Sequence, residues 1–186
     1  MNNQHPNLPF PLIDTAAEQH YVQSYNSEPM IDGVQIKEVK SFTSEEGDFS
    51  EVTRFTENGE LADFPGFKLR QINRAQIVAG SIKAWHFHVK QNEIWYVPPS
   101  DKIIVGLWDL RKDSPTAGMA RKVLLGGSSR GMVFIPKGVA HGSWNISDKA
   151  VNLMYFVDQN FSADEPDELR MPWDSKGAEF WEPTRD

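Results

Sequence analysis

Gly80-Ser-Ile-Lys-Ala-Trp-His86-Phe-His88, then Glu93, and further along Pro136-Lys-Gly138-Val-Ala-His141-Gly-Ser-Trp-Asn145, hold three of this chain's five histidines in one recurring pattern. His86 and His88 are two apart, so on a strand both imidazoles leave the same face while Phe87 points away. Glu93 and His141 complete a set of three imidazoles and a carboxylate, donors that suit a divalent transition metal such as Fe, Mn, Ni or Zn. The other two of the five histidines, His5 and His20, lie in a polar leader without such a pattern. A lone buried histidine is usually an ordinary core group. Four matched positions punctuated by Gly and Pro point instead to one inward-facing site.

Around these stretches the chain is strand-rich. Short runs of β-branched and aromatic residues at 34–40, 49–55, 67–73, 82–89, 93–97, 102–108, 121–125, 132–136 and 150–157 are separated by Gly, Pro, Ser, Asn or Asp. Even spacing of that kind predicts an all-β sandwich or closed barrel. Residues 1–30 read as a polar arm, 31–158 as the barrel, and the acidic, aromatic stretch 159–186 as a segment packing on the barrel mouth. With 186 residues the chain makes one domain plus extensions. It has no cysteine, which excludes a disulfide framework and leaves only nitrogen and oxygen as metal donors. No segment reaches the length of a membrane span and the N-terminus lacks a signal-peptide pattern, so the expectation is a cytoplasmic protein with no membrane partner. A formal charge of −7 argues against nucleic acid as partner.

The paired stretches resemble the two motifs of the cupin superfamily, which implies a double-stranded β-helix, or jelly-roll, barrel. Ser100 stands where the first motif closes on glycine, and Gly131 lies one residue nearer Pro136 than the second motif has it. All four liganding positions are filled.

A more specific resemblance covers the chain from about Ile31 onward. GDFSE (47–51), QIN (71–73), KAWHF (83–87), DLRKDSPTAG (109–118), FIPKGVAHG (134–142), LMYF (153–156) and PWDS (172–175) are similar to the dTDP-4-dehydrorhamnose 3,5-epimerase family. The resemblance implies that His86 is the base that removes a proton beside a sugar's 4-keto group, that Asp174 orients it, and that Tyr155 is the acid. It implies that His141 and Lys83 face the substrate, that Gln71 and Asn73 form a polar pair on the nucleotide side, and that the protein is a homodimer exchanging N-terminal strands. Departures are equally informative. Glu93 stands where the family has a lysine, His88 where it has glutamine, Lys83 and Glu46 where it has arginines, and Val105 where it has aspartate. The changes to His88 and Glu93 are the two that restore a metal set.

Chemically the exchange is coherent. Proton abstraction beside a carbonyl needs a base and positive charge at the developing oxyanion. A lysine or a divalent cation can supply that charge; glutamate alone cannot. The sequence therefore reads first as an enzyme acting on a keto-sugar or nucleotide-linked sugar by epimerisation or isomerisation through an enediolate. A metal-dependent dioxygenase or small-acid isomerase, and a non-catalytic sugar-binding cupin, are the alternatives. Strand alternation puts Trp95 on the Glu93 face, and Trp85 and Trp144 on the face away from the histidines. Arg70, Arg74 and Lys83 read either as an anion clamp or, more simply, as solvated strand-edge charges.

Overall fold

The computed structural model describes residues 9–19, 21, 28–127 and 131–184. A short helix α1 (Asp14–Gln19) precedes twelve strands: β1 (Gln35–Lys37), β2 (Ser41–Ser44), β3 (Gly47–Ser50), β4 (Gln71–Ile77), β5 (Ile82–Phe87), β6 (Glu93–Tyr96), β7 (Lys102–Asp109), β8 (Ala120–Gly126), β9 (Met132–Ile135), β10 (Val139–Trp144), β11 (Val151–Val157) and β12 (Leu169–Arg170). One sheet runs β1-β9-β6-β11-β4, the other β12-β5-β10-β7-β8, and β2 with β3 makes a separate hairpin. Neighbours pair antiparallel throughout. This is the cupin jelly roll.

Period-two alternation explains the layering. Ile103, Val105 and Leu107 of β7, Val123 and Leu125 of β8, Val133 and Ile135 of β9, and Val151 and Leu153 of β11 project between the sheets and form the main core. Each such side chain contributes roughly 1.5–3 kcal/mol on burial. The residues between them face outward. Ile94, Tyr96, Met132 and Phe156 are covered by Leu61, Phe64 and Phe67 from the connection before β4. On the second sheet, Trp85, Ala140 and Trp144 are covered by Met171, Phe180 and Trp181 from the chain's end. Trp181 seats over Gly106, where a Cβ would run into its ring.

The pairing of β5 with β10 is irregular. Opposite β10, the register moves from His141↔His86 to Ser143↔Lys83, so β5 carries one extra residue there. Such a bulge re-aims the flanking side chains. Ala84 and Trp85 both face the outer cluster, while Lys83 and His86 both line the interior cavity. Gly142 sits against the bulge, its missing Cβ replaced by Ala84 and the Lys83 carbonyl.

The structure departs from the sequence reading in several strands, and β2 and β12 lie outside the marked runs. Residues 139–144 form a central strand that composition did not mark. The run 49–55 is strand only to Ser50, and the run 67–73 only from Gln71, because Phe67 packs inward from a loop. Within the 1–30 arm, residues 14–19 are helical; 1–8, 20 and 22–27 lie outside the described residues.

Candidate active site

His86, on β5, His88, just beyond it, Glu93, opening β6, and His141, in the middle of β10, converge so that one donor atom from each lies within 4.8 Å of the others. The second sheet supplies the imidazoles and the first supplies the carboxylate. Glu93 is the hub. Its Oε2 accepts a hydrogen bond from Trp95 Nε1 at 2.6 Å and lies 3.1 Å from His141 Nε2. Its Oε1 accepts one from Gln91 Nε2 at 2.8 Å and lies 3.1 Å from His88 Nε2, out of line for a hydrogen bond. The His86 and His141 rings stand 4.1 Å apart, edge to face.

The donor inventory of the two flanking imidazoles constrains what fills the space between them. His141 Nδ1 is 2.9 Å from the Val139 carbonyl, and His88 Nδ1 is bonded to the Asp167 carbonyl. A carbonyl only accepts, so both Nδ1 atoms carry the proton. In the neutral ring each Nε2 is then a lone pair facing a carboxylate oxygen. Two acceptors at about hydrogen-bond distance repel unless a proton or a cation lies between them. Imidazoles held by Nδ1–H to a backbone carbonyl, with Nε2 turned to a shared carboxylate, form the usual outer arrangement of a metal site. The residues therefore fit a divalent cation.

Electrostatics divides the four residues. Burial, and then the neighbouring His141, push His86 well below its ordinary value, so it is neutral at pH 7; its Nδ1 is buried without a hydrogen-bond partner among the described residues. Burial opposes protonation of His88 too, but the Glu93 carboxylate outweighs it and raises the value. Glu93 would be raised by burial, yet His141 and His88 hold it well below the usual carboxylate range. Burial, Glu93 and Glu168 raise Tyr155, keeping the phenol protonated.

Two adjoining spaces open from the cluster, both lined by Glu93, Tyr155 and Glu168. The smaller, inner one adds Lys83, His86, Trp95 and Arg170. The larger, about 460 Å³, adds Gln71, Asn73, His88 and the chain from Gln159 to Glu168. Gln71 donates to Asn73 Oδ1 at 2.7 Å and accepts from the Phe161 backbone at 3.0 Å. Lys83 reaches the inner space because of the bulge; simple alternation would have turned it outward. Arg74 is occupied by Asn152 outside the cavity, and Arg70 is exposed.

Asp174 is the sequence candidate that the structure does not bring to the cluster. β12 sets Arg170 opposite His86, and the chain then turns at Pro172–Gly177, leaving Asp174 exposed with its carbonyl closing the turn. Sequence reasoning missed Asp167, Glu168, Arg170 and Phe161. Their only local signal is the acidic run Ser162–Glu168, which reads equally as a solvated loop.

A two-sheet antiparallel jelly roll holding an imidazole base candidate, a phenol and a charged hub on one cavity has the architecture of a cupin sugar epimerase. Comparison with known proteins agrees. The sequence model of the dTDP-4-dehydrorhamnose 3,5-epimerase family matches residues 28–181, and the chain belongs to that family. It is 36% identical over 151 residues to the spore coat polysaccharide biosynthesis protein SpsL of Bacillus subtilis, covering 81% of this chain and 95% of that one. The dTDP sugar isomerase of Desulfovibrio desulfuricans G20 shares the fold at TM-score 0.67 and 26% identity, over 78% of this chain and 88% of the other. The dTDP-4-dehydrorhamnose 3,5-epimerase of Bacillus anthracis, solved with TDP and PPi bound, does so at TM-score 0.67 and 27% identity, over 85% and 90%.

Proposed function

We propose that the protein epimerises a nucleotide-linked 4-keto sugar. The observation that carries this reading is that His86 and Tyr155 line one inner space beside the Glu93 hub. Neutral His86 takes the proton from the carbon next to the keto group, the electron pair moves onto the keto oxygen as an enediolate, and Tyr155 returns a proton to the opposite face. Lys83 and Arg170, on the same lining, bring positive charge to the anion, and Gln71 and Asn73 bind the polar groups of the nucleotide side.

His88, Glu93 and His141 would hold a divalent transition metal. His86, which lines the inner space beside Tyr155, is then left as the base. When bound, the cation supplies the positive charge at the keto oxygen that a lysine would otherwise supply. A nucleotide-sugar substrate belongs with the cell's nucleotide pool, which supports a cytoplasmic enzyme. Homodimerisation is supported by the outer edge of β1, which pairs with no strand among the described residues, and by Phe42 and Phe49, cross-strand partners on β2 and β3 that are 63% and 68% exposed. Sedimentation as a monomer at micromolar concentration would overturn the dimer.

The activity is tested by incubating the protein in deuterium oxide with a dTDP-linked 4-keto-6-deoxy sugar, with and without added Mn, Fe, Ni or Zn. Deuterium enters the carbon beside the keto group, His86→Asn abolishes entry, and Tyr155→Phe permits exchange but blocks inversion. Absence of exchange under every metal condition would defeat the assignment.

A further inference from the structure

We infer that Asp167 is a positioning residue that fixes the tautomer of His88 and couples that imidazole to the wall of the outer cavity. Asp167 makes two kinds of contact with one short loop. Its carboxylate accepts hydrogen bonds from the backbone N–H groups of Val89 at 3.1 Å and of Lys90 and Gln91 at 2.8 Å each. Its own carbonyl accepts the Nδ1–H of His88. Three charge-assisted bonds thus hold the residue whose main chain dictates which nitrogen of His88 carries the proton.

The other end of the same segment is anchored in parallel. Asp158 accepts from Asn92 N at 2.8 Å and from Asn92 Nδ2 at 2.7 Å. The chain between the two aspartates walls the outer cavity through Gln159, Asn160, Phe161, Ser162, Glu165 and Pro166. Both feet of this wall therefore stand on the loop that connects His88 to β6. A ligand that presses on the wall acts on Asp167, and through its carbonyl on the direction of His88 Nε2 toward Glu93. The inference rests on His88 belonging to the reactive cluster; the contact itself exists without metal or substrate.

That independence makes a direct test possible. Metal-free, substrate-free protein labelled with ¹⁵N-histidine is examined by NMR, comparing wild type with Asp167→Ala and Asp167→Asn. In the wild type, His88 and His141 each show a protected Nδ1–H. In Asp167→Ala the His88 proton exchanges with water about tenfold faster or more, the scale of one lost hydrogen bond. The His141 proton, held by Val139 within the same strand, is unchanged. Asp167→Asn keeps one accepting oxygen and recovers part of the protection, so it decides the question if the alanine variant folds poorly. Two results overturn the inference: a variant of lowered thermal stability in which His88 keeps full protection, and equal loss at His88 and His141. Because neither metal nor sugar is present, failure here is distinct from failure of the epimerase reading.

Discussion

Glu93→Gln is the substitution that most directly probes the hub. The amide is isosteric with the carboxylate but has one accepting oxygen and one donating nitrogen. In the native site one carboxylate oxygen receives Trp95 Nε1 and the other Gln91 Nε2. Whichever way the amide turns, one of these N–H groups meets another donor. That loses a charge-assisted bond worth about 1.5–3 kcal/mol and strands a buried donor at a further cost of about 1–3 kcal/mol. The amide nitrogen recovers about 0.5–1.5 kcal/mol of this by donating to the Nε2 of His88 or His141, which leaves a net loss of about 1–5 kcal/mol in metal-free protein. Urea denaturation measures it directly. Repeating the titration with excess zinc measures the second consequence. Zinc at about 100-fold over its dissociation constant adds about 2.7 kcal/mol to wild type, and little or nothing to the variant, which has lost its anionic ligand. A variant as stable as wild type, or one that zinc stabilises equally, would refute the account of Glu93 as hub.

Three further outcomes are expected. Asp109, buried, accepts from Arg111, Ser114 and Thr116, so Asp109→Ala lowers stability by about 3–5 kcal/mol in urea titrations. Burial alone would raise its pKa, but those donors lower it far more; the stability it confers is complete above the ordinary carboxylate range near pH 4 and is lost as pH falls through the lower folded value, a dependence that Asp109→Asn flattens. Gly142→Ala forces β10 off the β5 bulge, where the Lys83 carbonyl stands 2.9 Å from the added carbon, costing about 1–3 kcal/mol in calorimetry and slowing deuterium exchange through the displaced His86–His141 pair. Asp174→Asn, at an exposed turn, changes the exchange rate by no more than about twofold; a larger fall would restore Asp174 as the partner of His86.

The barrel was legible because its core strands carry large apolar residues at every second position, as in Lys102–Asp109 and Val151–Val157. β10 was not. Val139-Ala-His-Gly-Ser-Trp144 mixes small and polar residues because it is buried on both faces, against the cluster on one side and the Trp85 layer on the other; burial, not propensity, makes it a strand. The convergence of the histidines and Glu93 could be read from two short motifs. Lys83 was suggested only by the family resemblance; strand alternation alone turns it outward, and its inward aim depends on a bulge that Gly142 leaves room for across the sheet. Asp167 lay in an acidic run that reads equally as a solvated loop, and half of its part is played by a main-chain carbonyl, which every residue possesses.

Within the two five-stranded sheets, β7 and β8 alone are neighbours both in space and in sequence. Every other pairing closes a long loop before it gains a contact, which makes folding slow and dependent on distant parts of the chain. β5, which carries His86, stays an open edge until β12 arrives from the chain's end, and β10 must insert between strands made much earlier. During synthesis, the emerging chain therefore passes through a stage in which most of the barrel residues are already exposed to the cell while their edges are unpaired. A stop after residue 158 should yield aggregating protein rather than a smaller, stable barrel.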